Sequence, residues 1–206
     1  MPLKVITADG TTHSIHSPND FEKVFCVKYL SGLQYIDVKV QKKIEKRSLK
    51  VAAKGWISSH QKWLGHYYAQ ELSGKVSLDL TIAWIDDRIG YGVWTNREIP
   101  SQTCIGEYAG ILRKRYFFRR WSNLYCFDYN IGSGLGSGFV IDAQDCGNHT
   151  RFINHSDKPN LETISVYCNG VFNVIIYAKE KISSGEQICY DYGSEYWKKR
   201  SQPRLL

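Results

Sequence analysis

No stretch of this chain reaches the roughly 18 consecutive apolar residues that a membrane-spanning helix needs; Val174–Ala178 belongs to a run of strand length. The N-terminus lacks the basic, apolar and small-residue succession of a secretory signal. A soluble protein with no membrane partner is therefore expected. The six cysteines, Cys26, Cys104, Cys126, Cys146, Cys168 and Cys189, never fall within four residues of one another, so a Cys-x-x-Cys metal signature is excluded. Their mostly apolar neighbours predict buried thiols in a reducing compartment, cytoplasmic or nuclear. There are no internal repeats and no low-complexity linker. The dinucleotide-loop reading of Gly90-Tyr91-Gly92 also fails. Its third glycine is missing, because Thr95 stands there, and Pro100 interrupts any crossover helix.

What is present fits one core with a small accessory layer: 206 residues, 43% hydrophobic and 23% charged. The net charge of +7 is uneven. Residues 1–80 hold 12 Lys/Arg against 7 Asp/Glu, and residues 81–206 hold 15 against 13. Alternation predicts strands over Phe21–Tyr29 and Tyr35–Val40, followed by a helix near Ser58–Leu72 that Ser58 or Ser59 caps and Gly74 ends. From Leu78 onward short strands dominate: Leu78–Ile85, Tyr91–Asn96, Cys104–Leu112, Tyr125–Ile131, Phe139–Asp142, Leu161–Cys168, Val171–Ala178 and Gln187–Tyr190. Asn169-Gly170 marks a hairpin, and Gly132–Gly138 reads as a loop. Short helices are expected around Arg113–Trp121, Gly147–Asn154 and Glu195–Arg200. The predicted fold class is mainly β with short helices (α+β), with an N-terminal α/β accessory region over 1–80.

Four pieces occur in order. They are Gly90-Tyr91-Gly92, Tyr108-Ala109-Gly110, the block Arg151-Phe152-Ile153-Asn154-His155-Ser156-Asp157-Lys158-Pro159-Asn160, and Gly185-Glu186 leading to Tyr190-Asp191-Tyr192-Gly193. Asp142-Ala143 and Gly147-Asn148 precede the long block. From Ile85 to Trp197 this order and spacing resemble the SET-domain protein lysine methyltransferases. The long block carries the resemblance; the first two pieces are weak signals alone.

The resemblance implies small curved sheets and a C-terminal pseudoknot that brings Arg151–Asn160 beside Tyr190–Gly193. Residues 81–193 would form the catalytic domain and 194–206 a short tail. It further implies a methyl group passed from S-adenosylmethionine to a protein lysine. Gly90, Tyr91 and Gly92 would meet the methionine part of the cofactor. Asn154 and His155 would hold its amine and adenine, with Arg151 and Phe152 adjacent. Tyr192 would stand at the point of transfer, Tyr125 would line the lysine channel, and Tyr190 would govern product number in favour of monomethylation. Aromatic walls suit an incoming ammonium.

Departures matter as well. Asp157 replaces a cysteine of many relatives and the tail has none, so no structural zinc is expected. Tyr196 and Trp197 instead offer a lid over adenine and channel. Cys146 stands where several relatives carry a channel aromatic. The compact zinc-free type is similar to bacterial and viral members, whose targets include histones or histone-like DNA-binding proteins. Delivery to a host nucleus would follow for such a source. The basic excess of residues 1–80, with Lys42, Lys43, Lys46 and Arg47, suggests DNA contact, and the basic-aromatic run Arg113–Trp121 is divided between nucleic acid, peptide and a solvated face. A homodimer is left open. The alternatives are a non-catalytic SET-fold binding module, and a cysteine hydrolase built on Cys146 with His149 or His155.

Overall fold

The computed structural model describes residues 3–72, 78–115, 123–131 and 136–197, leaving aside the side chains of 136, 137 and 195. The chain opens with a hairpin of β1 (Leu3–Ile6) and β2 (Thr12–Ile15). Ser17 then caps α1 (Pro18–Phe25). Its hydroxyl accepts from the Asp20 N–H, and the Asp20 carboxylate accepts from the Ser17 N–H. This reciprocal cap, with Pro18 in the first turn, overrides the period-two pattern that predicts a strand over Phe21–Tyr29. Only β3 (Lys28–Tyr29) is extended there, and only β4 (Gln34–Tyr35) in the second predicted strand. Asp37 caps α2 (Val38–Ala53), which takes the rest of that region and buries Val40, Ile44 and Ser48 at helical spacing.

The helix expected near Ser58–Leu72 is found as α3 (Ser59–Tyr67), capped by Ser58 and Gln61, and α4 (Ala69–Leu72). Gly74 lies outside the described residues. Then follow β5 (Leu80–Asp86), β6 (Gly90–Thr95), β7 (Cys104–Glu107), β8 (Ile111–Lys114), β9 (Cys126–Asn130) and β10 (Gly136–Asp142). The helix expected over Arg113–Trp121 is not seen where the structure describes it. Ile111–Lys114 is a strand held between two neighbours, with Leu112 fully buried; residues 116–121 lie outside the description. The expected loop Gly132–Gly138 is described only from 136, where β10 has begun. After β11 (Cys146–Gly147) a single 3-10 turn over His149–Phe152 leads to β12 (Asn154–His155). The chain then forms β13 (Leu161–Cys168), β14 (Val171–Ala178), β15 (Cys189–Tyr190) and α5 (Ser194–Trp197); residues 198–200 of the last expected helix are outside the description.

The strands make three sheets, ordered β2-β1-β5-β6, β4-β8-β10-β9 and β13-β14-β7, and two short pairs, β11-β3 and β12-β15. Their inner faces share one core that includes Val5, Ile82, Val93, Ile105, Leu112, Ile141, Phe172 and Ile176. The N-terminal strands complete sheets of the later region: β1 runs parallel to β5, β3 to β11 and β4 to β8. The β13–β14 hairpin turns on Asn169 and Gly170, both at positive φ, as the sequence predicts for a two-residue turn. Among the described residues no helix is long and apolar enough to cross a membrane.

Helix α3 lies on β13 at unusually close range. A Cβ built on Gly65 would sit 2.0 Å from the Tyr167 carbonyl oxygen, so only glycine fits. Gly65→Ala should therefore destabilise the fold by about 1–3 kcal/mol through overpacking, despite alanine's better helix propensity. Urea unfolding of the two proteins checks the sign.

Candidate active site

Two distant segments meet through a parallel pairing, with Asn154 opposite Cys189 and His155 opposite Tyr190. Side chains lock the crossing. Asn160 donates to the Gln187 carbonyl at 2.9 Å and accepts from the Cys189 N–H at 2.9 Å. Asn154 donates to the Tyr91 carbonyl at 3.0 Å, tying β12 to β6. The segment before β15 also bonds β6, through Thr95 N–H to Glu186 O and Ile188 N–H to Val93 O. His155 Nδ1 accepts from the Tyr192 N–H at 3.1 Å, which sets the tautomer: Nε2–H faces Asp157 Oδ1 at 3.2 Å. Asp157 thus orients a motif histidine.

A continuous row of rings runs through the crossing. Tyr108 meets Phe127 at 5.1 Å, Phe127 meets Tyr190 at 6.4 Å, and Tyr190 meets Tyr192 at 4.9 Å. Tyr196 stands edge-on to Tyr192 at 4.7 Å, and Trp197 lies parallel to Tyr192 at 6.1 Å and against His155 at 4.9 Å. Burial pushes the phenols of Tyr108, Tyr190 and Tyr192 well above the usual tyrosine range. All three stay neutral at physiological pH, so none acts as a phenolate base. The Tyr192 hydroxyl donates to the Ile153 carbonyl at 2.8 Å. With its one proton so committed, its oxygen faces any other group as an acceptor. A neutral, electron-rich row of this kind suits a cation.

The remaining sequence-predicted residues fall on two sides of the crossing. Arg151 is buried, and its guanidinium donates to Ala143 O at 2.8 Å and Gln144 O at 2.9 Å while lying 4.0 Å over the Tyr125 ring. Its geometry is that of a support for Tyr125. The Tyr125 backbone is fixed as well, its carbonyl accepting from the Tyr108 hydroxyl and its N–H donating to Asn123. Asp142 anchors this corner by accepting from Arg113, Asn123 and the Gln144 N–H. The same guanidinium lies 4.7 Å over the Phe152 ring, which packs on Phe25 at 4.5 Å, Tyr91 at 5.5 Å and Phe21 at 6.1 Å. Gly90 holds a left-handed turn and its missing Cβ would face open space. Gly92 is glycine for packing, since a Cβ there would press on Gln187, Ile85 and Trp94 at 2.7–2.9 Å.

Sequence reasoning missed Phe21 and Phe25, because it read their helix as a strand. It missed Phe127 too, although Phe127 and Tyr129 alternate along β9 just after Tyr125. The cysteine-hydrolase alternative fails here. Burial raises the Cys146 thiol pKa, and its proton goes to the Asp142 carbonyl. His149 is buried on the Ile105 carbonyl, with burial lowering its pKa.

Comparison with known proteins settles the family. The SET domain family model matches residues 90–193. This chain belongs to the SET-domain family. The histone-lysine N-methyltransferase ash1 of Drosophila melanogaster is 37% identical over 105 residues, which is 50% of this chain and 5% of that protein. The histone-lysine N-methyltransferase SETD2 of Mus musculus is 30% identical over 121 residues, 57% of this chain and 5% of that protein. A crystal structure of Arabidopsis thaliana SUVH6 in complex with SAM is similar at 33% identity with a TM-score of 0.50, covering 57% of this chain and 29% of that one. The chain thus spans a small fraction of the length of these relatives. The matched SET segment contains both halves of the crossing and the ring row as far as Tyr192.

Behind the SET crossing lies a buried carboxyl. Glu107 sends its backbone carbonyl to Asn148 and Thr150, which carry the turn to Arg151, while its side chain accepts from the Leu33 N–H at 3.2 Å. Burial raises its pKa to about 8, against an ordinary value near 4.5. The folded protein therefore keeps a proton that the unfolded chain releases. Stability from this group is full below about pH 4.5 and is lost as pH rises through about 8. Thermal unfolding from pH 5 to 9 should show a falling Tm that Glu107→Gln flattens.

Proposed function

We propose that this protein transfers a methyl group from S-adenosylmethionine to the side-chain amine of a protein lysine. The observation that carries the reading is the neutral ring row closed around Tyr192, where the two motifs cross. The residues fit the cofactor on an independent ground. The buried indole N–H of Trp197 finds no acceptor among the described residues, and it stands beside His155. A polar, positively charged ligand that brings acceptor atoms would satisfy it. Asn154, His155, Tyr91, Phe152 and the open side of Gly90 would hold that ligand. When bound, S-adenosylmethionine supplies an electrophilic methyl on a sulfonium centre.

The chain's own residues do the rest. The ring row excludes water and receives the ammonium on its faces. A free lysine amine holds its proton to a pKa of about 10.4; enclosure among apolar rings beside a cation favours the neutral nucleophile. The Tyr192 oxygen, limited to accepting, orients the amine by taking an N–H and leaving its lone pair for the methyl carbon. Tyr125, held by Arg151, forms the opposite wall. Catalysis on this reading is positioning, with amine, methyl carbon and sulfur in line.

The substrate in this proposal is a histone or histone-like DNA-binding protein, and its cationic lysine-rich tail suits the ring row. Contact of the basic N-terminal region with the substrate's DNA is part of the same reading. The product in this reading is mainly monomethyl-lysine, because the Tyr190 hydroxyl would hold a water in the space an added methyl needs. Incubation with labelled cofactor and a panel of histones and histone-like proteins tests the reaction. Tyr192→Phe should lower kcat by about 100-fold or more, as loss of one oriented polar group does, while the Kd for S-adenosylhomocysteine stays within about tenfold. Binding of that product by the wild type without transfer to any substrate would point to a non-catalytic module. Tyr190→Phe should shift products toward dimethyl- and trimethyl-lysine by mass spectrometry.

A further inference from the structure

The helix α2 lies wholly outside the segment that matches the SET family, and its outward face carries charge of one sign. Lys39, Lys42, Lys43, Lys46, Arg47 and Lys50 recur at three- and four-residue intervals and are all exposed. At about 100° per residue they occupy roughly 140° of the helix circumference, centred away from the buried Val40, Ile44 and Ser48 and reaching the edge of that buried face at Arg47. The rise from Lys39 to Lys50 is about 16 Å, so the stripe is a line rather than a cluster. The one acid within α2, Glu45, accepts from Gln41. Among the described residues no ion pair involves Lys39, Lys42, Lys46 or Lys50. Lys43 and Arg47 lie over the Phe139 ring and pin the helix to β10. Beyond the helix end, Lys54 stands 4.2 Å over the exposed Trp56.

An ordinary solvated helix face mixes signs, because Glu–Lys pairs four apart stabilise it and like pairs cost stability. Here Lys39–Lys43, Lys42–Lys46, Lys43–Arg47 and Lys46–Lys50 are all like pairs. An anion of matching shape would relieve this repulsion. We infer that the outward face of α2 docks on the phosphate backbone of duplex DNA. A line of about 16 Å beside the duplex runs along a backbone surface that carries one phosphate charge per about 1.7 Å of axis, both strands counted. Each lysine contact releases a condensed counterion, so the affinity is steep in salt and blind to sequence. This inference gives the DNA contact proposed above a defined face. Its test uses neither cofactor nor methyl transfer, so its failure leaves the transfer reaction standing.

The test is fluorescence anisotropy of a short labelled duplex with the full chain, from about 50 to 200 mM salt. The variant carries Lys39→Gln, Lys42→Gln, Lys46→Gln and Lys50→Gln. A control of equal charge change carries Lys4→Gln, Lys23→Gln, Lys28→Gln and Lys179→Gln. With about 0.9 counterion per phosphate, the slope of log affinity on log salt should flatten by about 3–4 in the α2 variant and by less than about 1 in the control. The α2 variant should also keep or raise its Tm, since the like-charge pairs are gone, which separates lost docking from lost folding. Equal loss in both variants, or an unchanged slope in the first, would overturn the inference. Tighter binding of polyglutamate than of the duplex would overturn it too, assigning the face to an acidic protein.

Discussion

Everything at this site depends on two residue pairs in parallel register, Asn154 with Cys189 and His155 with Tyr190. A two-residue parallel pair is too short to hold itself. It survives because neighbouring groups over-determine it. Asn160 bonds the returning chain with both ends of its amide, and β6 bonds the same chain from its other side. Tyr192 then commits its N–H to His155 and its hydroxyl to Ile153. The ring that the proposal puts at the reaction centre is therefore fixed by the crossing itself. Several independent bonds hold that ring, which is why so many residues of both motifs are spent on backbone bonds.

That division of labour sharpens what a motif residue is for. Arg151 and Gly92 read from the sequence as cofactor contacts. Their geometry gives them other work: Arg151 stacks on Tyr125 and bonds the 143–144 backbone, and Gly92 leaves room for Gln187 of the returning segment. Among the described residues around Tyr192, the buried N–H of Trp197 is still to satisfy. A neutral row costs little to bury and still attracts charge through its quadrupoles. A row of phenolates would have to be desolvated.

Much of this was legible in the sequence. The β13–β14 hairpin could be read from two apolar runs flanking Asn169-Gly170, since few other dipeptides take two successive positive φ values without strain. The meeting of Arg151–Asn160 with Tyr190–Gly193 came only from family resemblance, because nothing local in either segment encodes a partner more than 30 residues away. The N-terminal region was misread for a physical reason. Phe21–Tyr29 and Tyr35–Val40 alternate well enough for strands, but the caps at Ser17 and Asp37 supply bonds that fix helices, and apolar spacing then agrees with them. The error hid Phe21 and Phe25, whose rings complete the packing around Phe152 and Tyr91.

The N-terminal strands are structural parts of the later sheets. The matched segment begins at Gly90, yet β6 needs β5 beside it, and β5 is covered on its far edge by β1. β8 is paired by β4 and β11 by β3, each through strands of two residues. Without these strands, two edges within the family's own segment, those of β8 and β11, and the edge of β5 just before it would expose unpaired backbone N–H and C=O groups to water or to other chains. The two-residue strands β3 and β4 are flanked by α1 before them and α2 after them. One of these helices carries the rings behind Phe152, and the other turns its lysines outward. Because β4 is paired with β8 and α2 begins three residues after it, the pairing fixes where the exposed lysines of α2 start.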